Sequence, residues 1–219
     1  MLPFHVVFDL DGTLIDSAEA ILAGFRGAFS LCGLTPVRSI EADIVGPPLG
    51  ETLRLLAGND DPDLIARLTD AFKHSYDTGG ALKTEAYPGI GDMLRALRAA
   101  GMKLSIATNK RIHPTRLIIE HLGWADIFTS IHALDILVPP LPNKAAMLGR
   151  LLIEEEVDIR RAVYVGDRFE DFEAARVNDL PFIAATWGYG ALRAEEGTAA
   201  RWREAFSPSE LQQMLLSET

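Results

Sequence analysis

The chain has 219 residues, 48% of them apolar, and a formal net charge of −10. That length allows one large domain or a domain with a smaller companion, and the apolar share suffices for a sizeable core. So acidic a chain is a poor partner for nucleic acid or anionic membrane, and a single cysteine, Cys32, excludes an internal disulfide.

From the N-terminus, the run His5–Phe8 predicts a short buried strand, ended at Gly12. Residues 17–83 carry helical periodicity at 18–31, 52–56 and 64–76 and no convincing strand. Beyond them, strand and helix signals alternate. Helices are expected over 93–100, 115–122 and 144–156, the first two stopped by Gly101 and Gly123. Strands are expected at 103–107, 127–131, 162–165 and 181–185. A last helix is signalled by Ser207, Pro208 at its first position and Glu210. The alternation predicts an α/β fold with a Rossmann-like parallel sheet. The helical stretch reads as an insertion after the first strand, dividing the chain into a core of residues 1–16 and 84–219 and an insertion of residues 17–83.

The chemistry concentrates in Phe8-Asp9-Leu10-Asp11-Gly12-Thr13-Leu14. Two carboxylates in one loop make a hard-oxygen site of the kind that suits Mg²⁺. An aspartate can also attack phosphorus. A bare Asp-x-Asp is equally what two solvated turn aspartates look like. Further along, Thr108 and Asp167 also follow predicted strands at once. In an open α/β sheet such positions converge outside the carboxyl ends of the strands. Lys144 opens a helix, where a lysine is electrostatically unfavourable unless something holds it. Lys110 and Arg111 read as solvated side chains at a helix start, and Arg168 with Glu170 as a local surface pair. The five histidines show no metal-ligand spacing, so zinc is not expected.

Taken together, these motifs resemble the haloacid dehalogenase superfamily in its phosphatase branch. Asp9-Leu10-Asp11-Gly12-Thr13-Leu14 is similar to the first motif, and Leu104-Ser105-Ile106-Ala107-Thr108-Asn109 to the second. Lys144 stands for the third, and Val163-Tyr164-Val165-Gly166-Asp167 with Asp171 resembles the fourth. The likeness spans nearly the whole chain and is nearest to the phosphoglycolate phosphatase and β-phosphoglucomutase subgroup. Asn109-Lys110 and Trp187-Gly188-Tyr189-Gly190 lean towards the former. The third motif departs from the family's frequent Lys-Pro-x-Pro, since here Pro140 and Pro142 precede the lysine.

The resemblance implies a small α-helical cap at the insertion and an Mg²⁺-dependent phosphatase of a small phosphorylated metabolite. It implies Asp9 as the nucleophile forming an aspartyl-phosphate and Asp11 as general acid and base. Asp9, the main-chain carbonyl of Asp11, and Asp167 would ligate the metal, with Asp171 supporting it. Thr108, Asn109 and Lys144 would bind the phosphate. The loop Gly46-Pro47-Pro48-Leu49 is where the family closes over the leaving group, although an ordinary interhelix connection would look the same. A mutase that re-donates the phosphoryl group, a pyrophosphatase or nucleotidase, and a non-catalytic phosphate-binding module stay open. No basic leader precedes the first strand, and no apolar run approaches the ~20 residues of a membrane span. The expectation is a cytoplasmic protein, monomeric or homodimeric, with no nucleic-acid or membrane partner.

Overall fold

The computed structural model describes residues 4–190 and 202–217. Its centre is a six-stranded, wholly parallel sheet in the order β5-β4-β1-β6-β7-β8. Strand β1 (His5–Phe8) is buried at every residue, as expected of a strand covered on both faces. It is followed by a two-residue strand β2 (Ile15–Asp16) and then by helices α1 (Ala18–Leu31), α2 (Leu49–Ala57) and α3 (Pro62–Ser75). Strand β3 (Glu85–Ala86) returns antiparallel to β2, with Ile15 opposite Ala86. These two short strands bring the start and the end of the helical segment together. Neither was expected, because two residues are too few to show an alternating pattern.

The remaining elements are α4 (Ile90–Ala99), β4 (Lys103–Thr108), α5 (Ile112–His121), β5 (Ser130–Ala133), α6 (Lys144–Glu154), β6 (Ala162–Gly166), α7 (Phe169–Val177), β7 (Phe182–Ala185), β8 (Arg203–Ala205) and α8 (Pro208–Ser217). One expected strand is misplaced: the apolar run at 127–131 gives way to β5 three residues later. Ile127 is instead held in a turn, its N–H donating to Trp124 O at 3.0 Å, and its side chain is buried off the sheet. Helix α6 stops short of the expected 156 because Glu156 takes a left-handed φ of 49°. Helix α8 starts as its sequence signals: Ser207 Oγ accepts from the Glu210 N–H at 3.2 Å, and Glu210 reaches back to the Phe206 N–H at 2.8 Å.

The register sets the site. Phe8 pairs with Ile106 of β4 on one side and with Val165 of β6 on the other. Asp9, Thr108 and Asp167 therefore emerge within about one residue of each other at the same edge. The strand order runs outward from β1 in both directions, so this edge is also where the topology switches, and a crevice forms there.

Within the helical segment, α1 packs on α3 through aromatic rings. Phe25 and Phe72 have centroids 4.7 Å apart, and Phe72 stacks on Tyr76 at 5.3 Å. After α3 the chain makes a π-helical turn, Tyr76–Gly80. Such turns recur at functional sites, and this one carries Tyr76 and Asp77 to the carboxyl edge of the sheet.

Candidate active site

The loop after β1 stays tied to the sheet for one more residue, since Asp9 N–H donates to Val165 O at 2.8 Å. It then folds tightly: the N–H groups of Thr13, Leu14 and Ile15 all point at Leu10 O, at 3.2, 2.9 and 3.2 Å. Gly12 has φ +89°, and a Cβ there would lie 2.4 Å from an Asp167 carboxylate oxygen. Glycine is required on both counts, and it lets the loop press against the end of β6.

Two separate ionic groups result. In the first, Lys144 Nζ donates to Asp9 Oδ1 at 2.8 Å and also to Asp171 Oδ1. Lys144 is placed by Asn143, whose side chain caps α6 by accepting from Ala146 N–H at 2.9 Å. Asp171 is held further by Tyr164 OH at 3.2 Å and by the Arg168 N–H at 3.0 Å. Asp167 accepts from Gly190 N–H at 3.0 Å and, weakly, from Thr13 Oγ1 at 3.4 Å. Asp9, Asp167 and Asp171 each offer a carboxylate oxygen within 4.8 Å of the others, and all three are buried. Burial pushes Asp9 well above the usual carboxylate range; Lys144 opposes this, and Asp171 and Asp167 add to it. Burial, reinforced by Asp171, lifts Asp167 to about 6. Three carboxylates share one lysine, so the group carries excess negative charge built from hard oxygen donors. A small divalent cation such as Mg²⁺ fits that set.

The second group is formed by Asp11, which is not in the carboxylate cluster. Lys110 Nζ donates to both of its oxygens, at 2.8 and 3.2 Å, and Ser17 Oγ donates to one of them. The Lys110 side chain is only 5% exposed, with its ammonium 4.9 Å from the centre of the Tyr76 ring. Burial pulls Lys110 down, but the Asp11 carboxylate and Tyr76 outweigh it and the group stays firmly cationic. The reading of Lys110 as solvated is thus corrected. Arg111 is corrected too: it makes a two-bonded pair with Asp77, one bond at 2.8 Å, in which each side chain is 17% exposed. Asp77 and the Tyr76 ring come from the π-helical turn and Asp11 from the loop after β1, all too far away in sequence for local reading to find.

Thr108 lies buried at the end of β4, and its Oγ1 accepts from Lys110 N–H at 3.2 Å. This bond turns the chain so that Lys110 faces Asp11. Asn109 donates to Gly46 O at 3.2 Å and to Glu170 Oε2 at 3.0 Å, which joins the loop before α2 to α7. Arg168 and Glu170 are therefore not a surface pair. Glu170 bonds Asn109, and the Arg168 side chain lies under Gly46, where a Cβ would come within 2.3 Å of its Nε. The Trp187–Gly190 stretch frames the site. Trp187 Nε1 donates to Thr13 O at 3.0 Å, and Tyr189 OH accepts from Ser17 N–H at 2.6 Å. Asp9, Asp11, Thr108, Asn109, Lys144, Asp167 and Asp171 are all gathered at one edge. Sequence reasoning missed Ser17, Tyr76 and the ionic role of Lys110.

A family profile described as "Haloacid dehalogenase-like hydrolase" matches residues 6–185. "Tyrosine-protein kinase PtkA" of Mycobacterium tuberculosis is 34% identical over 190 residues, covering 86% of this chain; the chain spans only 64% of that relative's length. "Phosphoglycolate phosphatase" of Xylella fastidiosa is 31% identical over 207 residues, covering 92% of this chain and 86% of the relative. A crystal structure of a "predicted phosphatase" from Clostridium acetobutylicum superposes with a TM-score of 0.86 at 27% identity, covering 99% of this chain and all of that one. The profile takes in every strand from β1 to β7 and all the acidic residues gathered at their carboxyl edge, and on that match this chain belongs to the haloacid dehalogenase-like hydrolase family.

Proposed function

We propose that the chain is a phosphomonoester hydrolase acting on a small phosphorylated metabolite through Asp9. One observation carries this reading. Two carboxylates of a single loop occupy different settings: Asp9 within an acidic cluster beside Lys144, and Asp11 in its own pair with Lys110. Separate environments for two nearby carboxylates are the usual basis for separate roles.

Asp9 attacks the phosphorus, so a bond forms from its carboxylate oxygen and the bond to the ester oxygen breaks. Asp11, protonated in the substrate complex once it lets go of Lys110, gives that proton to the departing oxygen and then takes one from the water that cleaves the aspartyl-phosphate and restores Asp9. Lys144 keeps Asp9 oriented and supplies positive charge at the phosphate, and Asp171, itself held by Tyr164, keeps Lys144 in place. Thr108 Oγ1 accepts from Lys110, which leaves its own proton to donate to a phosphate oxygen. Asp9, Asp167 and the Asp11 carbonyl would hold Mg²⁺, with Asp171 alongside; when bound, the ion offsets repulsion between carboxylate and phosphate. The helical segment of residues 17–83 acts as a cap over this edge of the core, formed by residues 1–16 and 84–219.

Phosphate release from a panel of monoesters, with Mg²⁺ and with EDTA, tests the proposal. Phosphoglycolate belongs in that panel because of the relatives' names. Release that needs Mg²⁺ and disappears in Asp9→Asn is expected. Undiminished release by Asp9→Asn would overturn the assignment of the nucleophile.

A further inference from the structure

Helix α1 opens at Ser17, a residue type that commonly caps a helix with its own hydroxyl. Here that hydroxyl makes no cap bond and donates to Asp11 instead. The helix start is held by a side chain from elsewhere in the fold. Tyr189, in the stretch after β7, accepts from Ser17 N–H at 2.6 Å and from Ala18 N–H at 3.0 Å, and its hydroxyl donates to Asp16 Oδ1 at 2.8 Å. These bonds lie where the chain passes from β2 into the helical segment. The neighbouring Trp187, bonded to Thr13 O, fixes the loop just before that point.

The arrangement bears on Asp11. Lys110 spans both of its carboxylate oxygens, whereas Ser17 touches Oδ1 alone. Once Lys110 lets go, Ser17 remains, among the described residues, as the donor on that carboxyl. It fixes Oδ1 and leaves Oδ2 as the oxygen that carries the proton. Ser17 is buried, so its direction is set by the backbone on either side of it. Without the Tyr189 hydroxyl, the Ser17 N–H loses its acceptor, and an unpaired buried N–H is costly. The helix start can then shift, and Ser17 Oγ can take up its ordinary cap bond, turning away from Asp11.

We propose that Tyr189 is a positioning residue for proton transfer: its hydroxyl holds the start of α1 so that Ser17 orients Asp11 towards the departing oxygen. The proposal rests on the phosphatase reading and adds to it a residue outside the four motifs.

The test uses the Mg²⁺-loaded full chain and compares kcat/KM, which covers only the steps up to departure of the alcohol. Tyr189→Phe keeps the ring and removes the hydroxyl. On the alkyl monoester that the parent chain cleaves fastest, kcat/KM should fall ~10–100-fold, as a misplaced acid would give. On p-nitrophenyl phosphate, whose departing oxygen needs little protonation, it should fall less than ~3-fold. A merely structural role, such as a loosened helical segment, would lower both alike. Equal losses therefore overturn the proposal, and so does an undiminished rate on the alkyl monoester. Ser17→Ala should show the same dependence on the departing group. The double variant should lose no more than Ser17→Ala alone, because one residue acts through the other. Losses that multiply would show that Tyr189 does not work through Ser17. No release from any monoester by the parent chain would remove the phosphatase reading itself, an outcome distinct from those that remove only the role of Tyr189.

Discussion

Asp11 and Lys110 are each nearly cut off from water, and each is tolerable there only because of the other. That dependence separates their structural role from their chemical one. Lys110→Met leaves Asp11 buried with Ser17 alone, and a loss of about 3–5 kcal/mol is expected. Adding Asp11→Asn removes the stranded charge, so the double variant should recover part of that loss, with a coupling of about 1–3 kcal/mol in a urea-denaturation cycle. Additive effects would mean that the pair is not coupled. Activity should not follow stability. Asp11→Asn keeps the backbone carbonyl and the side-chain shape but can neither give nor take a proton, so hydrolysis of an alkyl phosphate is expected to fall ~10²–10⁴-fold. p-Nitrophenyl phosphate, whose departing oxygen needs little protonation, should suffer less in the first phosphoryl transfer. Equal losses in rapid-quench experiments on both substrates would make Asp11 a positioning residue. His5, far from this chemistry at the start of β1, gives a pH dependence of known sign. Burial lowers its pKa from 6.5 to about 4, against an upward pull from Glu155, while its Nε2 bonds Ser105 Oγ at 2.9 Å. The unfolded chain therefore takes up this proton first as pH falls. The contribution is complete above pH 6.5 and is lost progressively towards pH 4, by about 1–3 kcal/mol. Urea denaturation at pH 7 and 4.5 should show a smaller loss for His5→Gln than for the parent chain. An equal loss would place the acid sensitivity elsewhere.

At the scale of elements, the helical segment is tied to the core by a small number of contacts. The π-helical turn after α3 meets the start of α5 through the Arg111–Asp77 pair and through Lys110 against Tyr76. To swing away, the helical segment must break a two-bonded ion pair that is largely shielded from water, worth about 1.5–3 kcal/mol. Asp77→Ala is therefore expected to speed amide hydrogen exchange in α3 and in the turn, and to raise KM. The charge-swapped double variant, Asp77→Arg with Arg111→Asp, should restore part of the protection. Exchange unchanged by Asp77→Ala would show that something else holds the segment closed. This contact also marks where reading the sequence reached its limit. Asp9 and Asp167 were legible because each follows a strand at once, a local signal, whereas Asp11 and Asp171 were read only through the motifs they share with the family. Lys110 and Arg111 sit next to the equally legible Thr108, yet they looked solvated. Asp11 reaches Lys110 from the loop after β1, and Asp77 reaches Arg111 from a turn whose geometry depends on how Phe72 and Tyr76 pack. The shift of β5 from the run at 127–131 has a similar cause: an apolar stretch fills the core equally well from a turn or from a strand, and periodicity alone does not distinguish them.

For the whole molecule, a net charge of −10 is combined with a buried knot of three carboxylates and one lysine. Without a cation that knot works against folding, because like charges crowd where water cannot screen them. Its stability should therefore respond to Mg²⁺ in a way that activity alone would not reveal. Saturation at one hundred times the dissociation constant adds about 2.7 kcal/mol. For a chain of this length that corresponds to a rise in Tm of roughly 5–10 °C. Asp167→Asn makes a sharper case, since it relieves repulsion in the metal-free protein while removing an anionic ligand. Its metal-free Tm should equal or exceed that of the parent chain, and its rise on adding Mg²⁺ should largely vanish. Calorimetry with and without the metal checks both. If Asp167→Asn instead lowers the metal-free Tm and keeps the full Mg²⁺ response, Asp167 is a structural acceptor for Gly190 and Thr13, and the ion binds elsewhere.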